Sequence, residues 1–385
     1  MEDIVILYKE FKQTGIKILL EAGEPAAVLF LRSLAEAMEK DGGYSSLCVL
    51  ATPLVAELLA KQAPDLHLAQ YGSAGTSEQE ALRGPFEFAI AHMGPSNESP
   101  HSLLYTGKRL YGAKKLAYIA TGFKAMSSTF ADAKRANFDT LDLVMVTDEL
   151  CAEVYRADFK WMDPDKIVPI GSAMLDALRS EDHAALRAAG RQKLGISETE
   201  RVVFFSAFPG HDCVPFGAKE SICVDALGAT IAGVKQAAKG ARSDIAVLVR
   251  PHPRATKEET AKLLAMCNTG IQNGLRVIAS PDIAYDESLH AADLIACIAT
   301  STLSNQSRYR GQEALVFAFE DNDCGKVFDA LFTGHEANLI GATEGIRIVR
   351  KEDDITAALK DGKKLKPIPT EGDSVKRLLE YLLTE

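Results

Sequence analysis

The stretch Val247-Leu248-Val249-Arg250-Pro251-His252-Pro253-Arg254 ends an apolar run at a histidine set between two prolines and two arginines. Each proline fixes its own φ and drives the residue before it towards extended backbone. Arg250 and His252 both precede a proline, so both side chains should leave the strand end with little freedom. A guanidinium offers a planar donor fork for phosphate, and an imidazole adds a donor or a charge near neutral pH. Such a pair suits an anion. A turn-ending Pro-x-Pro with a surface histidine is the plain alternative.

Other segments end apolar runs in residues of similar promise. Ala299-Thr300-Ser301-Thr302 follows Leu294-Ile295-Ala296-Cys297-Ile298. Thr300, Ser301 and Thr302 offer helix caps, free backbone N–H groups and the positive end of a helix dipole, which together cradle phosphate. A simple N-cap would look the same. Ser206-Ala207-Phe208-Pro209-Gly210-His211-Asp212 follows Val202-Val203-Phe204-Phe205. There Gly210 permits close backbone approach, and His211 or Asp212 could reach a ligand on the loop that Ser206 opens, although an ordinary solvent loop explains them too. Earlier in the chain, Glu24 lies between an apolar run and a helix start, and His92 closes Phe88-Ala89-Ile90-Ala91. Either could serve as a general base. Glu24 is also explained by helix-dipole complementarity, and His92 as a buried strand end.

These residues need elements to place them, and the pattern supplies a repeating one. Strands are predicted at 15–20, 45–51, 66–71, 86–92, 115–120 and 141–147, then at 201–206, 245–250, 275–279, 294–298 and 315–319. Helical spacing fills most gaps, including 52–61, 102–111, 222–238 and 257–266. Pro25 opens another helix, in which Val28, Leu31, Ala35 and Met38 share a face. Strands separated by helices of this length call for parallel sheets with helices on both faces. Two prolines and a glycine in Asp163-Pro164-Asp165-Lys166-Ile167-Val168-Pro169-Ile170-Gly171 mark a boundary. The expected fold is therefore α/β: two doubly wound, Rossmann-like domains, 1–170 and 171–385, facing across a cleft. A last helix, 373–383, would pack back on the first domain. Ligands of such sheets bind beyond the carboxyl ends of the strands, where the candidates above lie.

Composition narrows the classes. At 385 residues, with 47% hydrophobic and 25% charged residues, the chain is globular and long enough for two cores. A formal charge of −10 argues against a nucleic-acid partner. No apolar run approaches the roughly 18 residues of a membrane span, and Met1-Glu2-Asp3 opens no signal peptide, so a cytoplasmic protein is expected. Seven scattered cysteines without a CxxC point to buried reduced thiols rather than zinc. Gly-x-Gly-x-x-Gly, the P-loop and Gly-x-Ser-x-Gly are absent. Asp321-Asn322-Asp323 mimics a metal-holding Asp-x-Asp but reads better as a polar turn, so no metal is assigned.

In combination these motifs resemble the two-domain GT-B superfamily, which includes nucleotide-sugar glycosyltransferases, UDP-N-acetylglucosamine 2-epimerases and wall-polymer glycerophosphotransferases. The likeness spans nearly the whole chain as an order of motifs. Asp165-Lys166-Ile167-Val168-Pro169-Ile170-Gly171 resembles the superfamily's entry into its second domain. Leu248-Val249-Arg250-Pro251-His252-Pro253 resembles its R/K-P-H-P strand end, and Ala292-Asp293 through Ser301-Thr302 resembles its donor segment. The resemblance implies a metal-independent glycosyltransferase, free of cofactors, that acts on a nucleotide-sugar donor and a saccharide, lipid or protein acceptor. It implies a diphosphate site at Arg250, His252, Thr300, Ser301, Thr302 and Gln306, with Glu24 or His92 as base and His252 at the reacting centre. An epimerase or hydrolase on the same fold, or a binding scaffold, are the alternatives. The chain departs from the pattern where Gln306 replaces a ribose-binding glutamate, where Gly311-Gln312-Glu313 replaces G-x-P, and in lacking the epimerases' Asp-Ser-Gly-Gly.

Overall fold

A computed structural model describes residues 5–10, 15–22, 27–41, 44–66, 69–73, 85–92, 112–120, 141–178, 182–239, 244–252, 255–279, 285–298, 302–332, 335–361, 365–368 and 372–384. The chain forms two compact units, Met1–Arg179 with Thr370–Glu385, and Ser180–Pro369.

The first unit holds strands β1 (Val5–Glu10), β2 (Ile16–Ala22), β3 (Tyr44–Ala51), β4 (Ala69–Ser73), β5 (Phe88–His92), β6 (Lys115–Ile119), β7 (Leu143–Val146) and β8 (Ile167–Pro169). They form one sheet in the order β4-β1-β3-β2-β5-β6-β7-β8. From β3 to β8 the pairs are parallel. β1 runs antiparallel to both β3 and β4, an edge that the alternating pattern did not foretell. Helices α1 (Ala27–Asp41), α2 (Pro53–Gln62), α3 (Glu149–Asp158) and α4 (Ala173–Leu178) accompany it. Ile18, Leu20 and Ala22 face one core with Val28, Leu31, Ala35 and Met38 of α1, as helical spacing required. Thr52 caps α2 by accepting from the Val55 N–H, with Pro53 in the first turn where no backbone donor is needed. Asp148 caps α3 in the same way at Cys151. The predicted helix 102–111 lies outside the described residues.

The second unit holds α5 (His183–Lys193), β9 (Arg201–Ser206), a 3₁₀ turn (Gly210–Phe216), α6 (Ile222–Ala238), β10 (Ile245–Arg250), α7 (Lys257–Gln272), β11 (Arg276–Ala279), α8 (Tyr285–Ala291), β12 (Leu294–Ile298) and α9 (Thr302–Tyr309). It continues with β13 (Glu313–Phe317), α10 (Asp323–Leu331), α11 (His335–Gly341), β14 (Ile346–Val349) and α12 (Glu352–Asp361). Its sheet, β11-β10-β9-β12-β13-β14, is parallel throughout. The apolar runs of β9, β10, β12 and β13 follow from burial on both faces, which parallel sheets impose.

Helix α13 (Ser374–Thr384) belongs to the first unit. Val375, Leu378, Leu379 and Leu382 enter the core beneath α1. Asp176 of α4 accepts from the Ser374 N–H at 2.7 Å, and Arg377 Nε donates to the Ile170 carbonyl at 2.9 Å.

Candidate site at the strand ends of the second sheet

The order of the second sheet creates a switch point. From β9 the chain steps outward through β10 to β11, then returns to place β12 on the other side of β9. Loops diverge from such a point and leave room for a ligand at the carboxyl edge. Register brings Arg250 beside Ser206, and Ser206 beside Cys297. The ends of β10, β9 and β12 therefore lie in one row, and the three segments flagged in the second half of the sequence leave from it.

Each loop is held by its own local chemistry. Pro251 is buried, whereas Arg250 and His252 are half-buried at the edge. The Ala255 N–H donates to the His252 carbonyl at 2.9 Å. Thr256 then starts α7 through a capping box: its hydroxyl accepts from Glu259 N–H, and Glu259 accepts from Thr256 N–H at 2.6 Å. After β9, the Ala207 N–H donates to the Arg250 carbonyl at 3.3 Å and prolongs the ladder. The Phe208 ring centroid lies 6.1 Å from that of His252, with planes tilted by 45°. Cys223 of α6 accepts from the Phe208 N–H at 3.2 Å and donates its thiol to the Phe208 carbonyl at 2.7 Å. Gly210 is obligatory, because a Cβ there would come within 2.0 Å of the Glu220 carbonyl oxygen.

The predicted residues fall into three groups. Arg250, His252, Ser206 and Gly210 share the row and its loops, with His211 inside the 3₁₀ turn and Thr302 at the first position of α9. Gln306 lies on α9, and only 3% of it reaches solvent. His92 ends β5 of the first unit, in register with Ala22. Glu24, Thr300 and Ser301 lie outside the described residues. Asp323 opens α10 and is held locally: it accepts from Lys219 N–H and from the Lys326 ammonium, each at 2.7 Å. The Lys326 hydrogen bond, then that from Lys219, holds its carboxyl below the ordinary value. Among the described residues no group of three His, Cys, Asp or Glu is placed to hold a metal, and no helix is long and apolar enough to cross a membrane.

Sequence reasoning passed over several residues. Phe208 and Cys223 carry no motif, and only the fold brings the Phe208 ring to His252 and the Cys223 thiol to the Phe208 backbone. Asp293, part of the donor-like segment, sits at the opposite, amino end of β12. It accepts from Arg187 at 2.6 Å, from Arg191 at 2.8 Å and from Val202 N–H at 2.8 Å. Arg191, 1% exposed, also donates to the carbonyls of Ala291, Ser197 and Glu200. This part of the motif ties the sheet together. Gln312 and Glu313 belong to the same edge: the Gln312 amide donates to Leu289 and Ala292 carbonyls, and Glu313 accepts from Arg347 at 2.9 Å. Gly311, at φ +70°, makes the turn before them and lies against Leu365 and Pro367. The departure from G-x-P is thus a packing solution remote from the strand ends.

Compared by sequence, the chain matches no family model and no curated protein. Compared by structure, it is similar over nearly its whole length to solved proteins. A UDP-GlcNAc 2-epimerase of Methanocaldococcus jannaschii, solved with UDP-GlcNAc and UDP, superposes with a TM-score of 0.64 at 14% identity, over 96% of this chain and 100% of that one. A Listeria monocytogenes protein described as a UDP-N-acetylglucosamine 2-epimerase gives 0.59 at 14% identity, over 95% of each chain. The wall teichoic acid polymerase TagF gives 0.53 at 11% identity, over 95% of this chain and 88% of that one. Identities this low speak for architecture alone. Two Rossmann-like α/β units in this order, shared over 95% of the chain with those structures, give this protein the GT-B fold.

Proposed function

We propose that the chain transfers a sugar, or a similar activated group, from a nucleoside diphosphate donor to a saccharide, lipid or protein acceptor. The observation that carries this reading is the row Arg250–Ser206–Cys297 at the switch point, with His252 two residues beyond Arg250. In the reaction the acceptor oxygen bonds to the transferred carbon as the bond from that carbon to the diphosphate oxygen breaks. The electron pair leaves with the diphosphate. Preorganised donors are worth most where charge develops, and Arg250 and His252 take that task. The backbone around Ser301 and Thr302 shares it, as does Gln306; Ser206, Gly210 and His211 are assigned to the donor side. Glu24 or His92 removes the acceptor proton. The route needs no metal, so chelator should leave the rate unchanged.

A second reading is favoured by the likeness to two 2-epimerases: turnover of the donor without any acceptor. Incubation with donor alone separates the two, because release of nucleoside diphosphate or a change of sugar configuration would then appear by NMR.

The primary test is calorimetric titration of UDP, GDP, CDP and ADP into wild type and His252→Ala. One nucleotide should bind, at least tenfold more weakly to the variant, a loss of about 1.4 kcal/mol. Silence from all four towards the wild type would falsify the nucleotide-donor reading.

A further inference from the structure

We infer that Phe208 is a positioning residue for His252, and that the Cys223 thiol is the latch that holds it. The inference rests on the reading of Arg250 and His252 as the diphosphate-holding pair.

Both backbone polar groups of Phe208 are taken by one side chain. Cys223 Sγ accepts from its N–H at 3.2 Å and donates to its carbonyl at 2.7 Å. A strand-end loop normally leaves such groups to water, which lets the loop move. Here they are spent on α6, an element of the same unit whose Ile222 and Cys223 are buried. Burial pushes the Cys223 thiol well above its ordinary value, so it keeps the proton that it donates. The neighbours remove what freedom is left. Ala207 N–H is tied to the Arg250 carbonyl, Pro209 restricts Phe208 to extended backbone, and Gly210 is pressed against the Glu220 carbonyl.

A ring on a backbone fixed in this way becomes a wall. Its centroid lies 6.1 Å from the His252 imidazole at a tilt of 45°, within the range where aromatic pairs attract. His252 itself is restrained in backbone by Pro253 and by the hydrogen bond from Ala255, but these do not set the angle of its ring. The Phe208 ring packs beside the imidazole and bears on that angle. An imidazole already aligned loses less freedom when it meets an anion, and it presents its donor in one direction.

The test is a double-mutant cycle on the full chain, read as affinity for the nucleoside diphosphate that binds wild type. Phe208→Ala should weaken binding about fivefold, the size of a typical aromatic pair. In a His252→Ala background the same change should do nothing. Equal losses in the two backgrounds, or no loss in the first, overturn the inference. Cys223→Val should copy Phe208→Ala, and Cys223→Ser, which keeps a donor and acceptor, should recover most of the affinity. If Phe208→Ala does not fold, Phe208→Leu takes its place under the same criteria. If no nucleotide binds wild type, the donor reading fails by itself. The NMR signal of the His252 Cε1–H then decides the latch: it should shift and broaden in Phe208→Ala, and an unchanged signal overturns the inference.

Discussion

At Asp293 a single carboxylate gathers two arginines and a backbone N–H, and one of those arginines, Arg191, is almost wholly buried. Removing Arg191 takes the shared donor from four carbonyls and leaves Asp293 to Arg187 and the Val202 N–H. Arg191→Ala is therefore expected to cost about 3–5 kcal/mol, seen as a lower urea midpoint. Because the cluster lies at the amino edge of the sheet, nucleotide affinity of the folded fraction should stay within about twofold of wild type. Asp323 makes a pH-dependent contribution of the opposite kind to a buried neutral acid. Its folded carboxyl titrates below the ordinary 3.8, owing to Lys326 and the Lys219 N–H. Stability from that shift is present in full above 3.8 and is lost as pH falls through the lower folded value. Asp323→Asn should thus be less stable than wild type near neutrality and should lose less on acidification, in thermal melts from roughly pH 6 to pH 2.

At the level of elements, the last helix shows how far a segment can lie in sequence from the core that it completes. α13 is amphipathic, and its Val375, Leu378, Leu379 and Leu382 are buried with α1 and β2 in the first unit. Leu378→Ala should therefore destabilise that unit by about 2–5 kcal/mol, the range for a buried leucine lost without collapse of its site. Protection of α1 amides in hydrogen exchange would report it, and unchanged protection would argue that α13 is dispensable. The loop between β10 and α7 is held by the Thr256–Glu259 capping box. Thr256→Ala should cost about 1 kcal/mol of stability by releasing the first turn of α7, measured by denaturant titration.

For the molecule as a whole, all seven cysteines are buried and none is in a disulfide. Burial raises Cys48 and Cys324 to about 12 and Cys267 to about 11, so none of these three offers a thiolate near neutrality. An aromatic disulfide reagent should label fewer than one thiol per chain in the native state, and all seven after unfolding. Rapid native labelling would show that the buried thiols are reached through opening of a unit.

The sequence alone determined the local periods. Continuous apolar runs became parallel strands because both faces of such strands are covered, and the spacing of Val28, Leu31, Ala35 and Met38 became the buried face of α1. It also marked the strand ends, since proline and glycine act on the backbone beside them: Arg250, His252 and Gly210 were legible for that reason. What lay outside its reach was whatever depends on pairing. β1 is a short strand whose antiparallel partners, β3 and β4, are chosen by the sheet edge and not by its own pattern. Asp293 looked like part of a ligand motif until the register put it at the amino end of β12, with its lone pairs given to Arg187, Arg191 and Val202. Phe208 beside His252, and Cys223 beside the Phe208 backbone, were invisible because their meeting is a product of strand order. Only tertiary structure sets β9 between β10 and β12, and only that order brings a phenylalanine, a thiol and an imidazole to one edge.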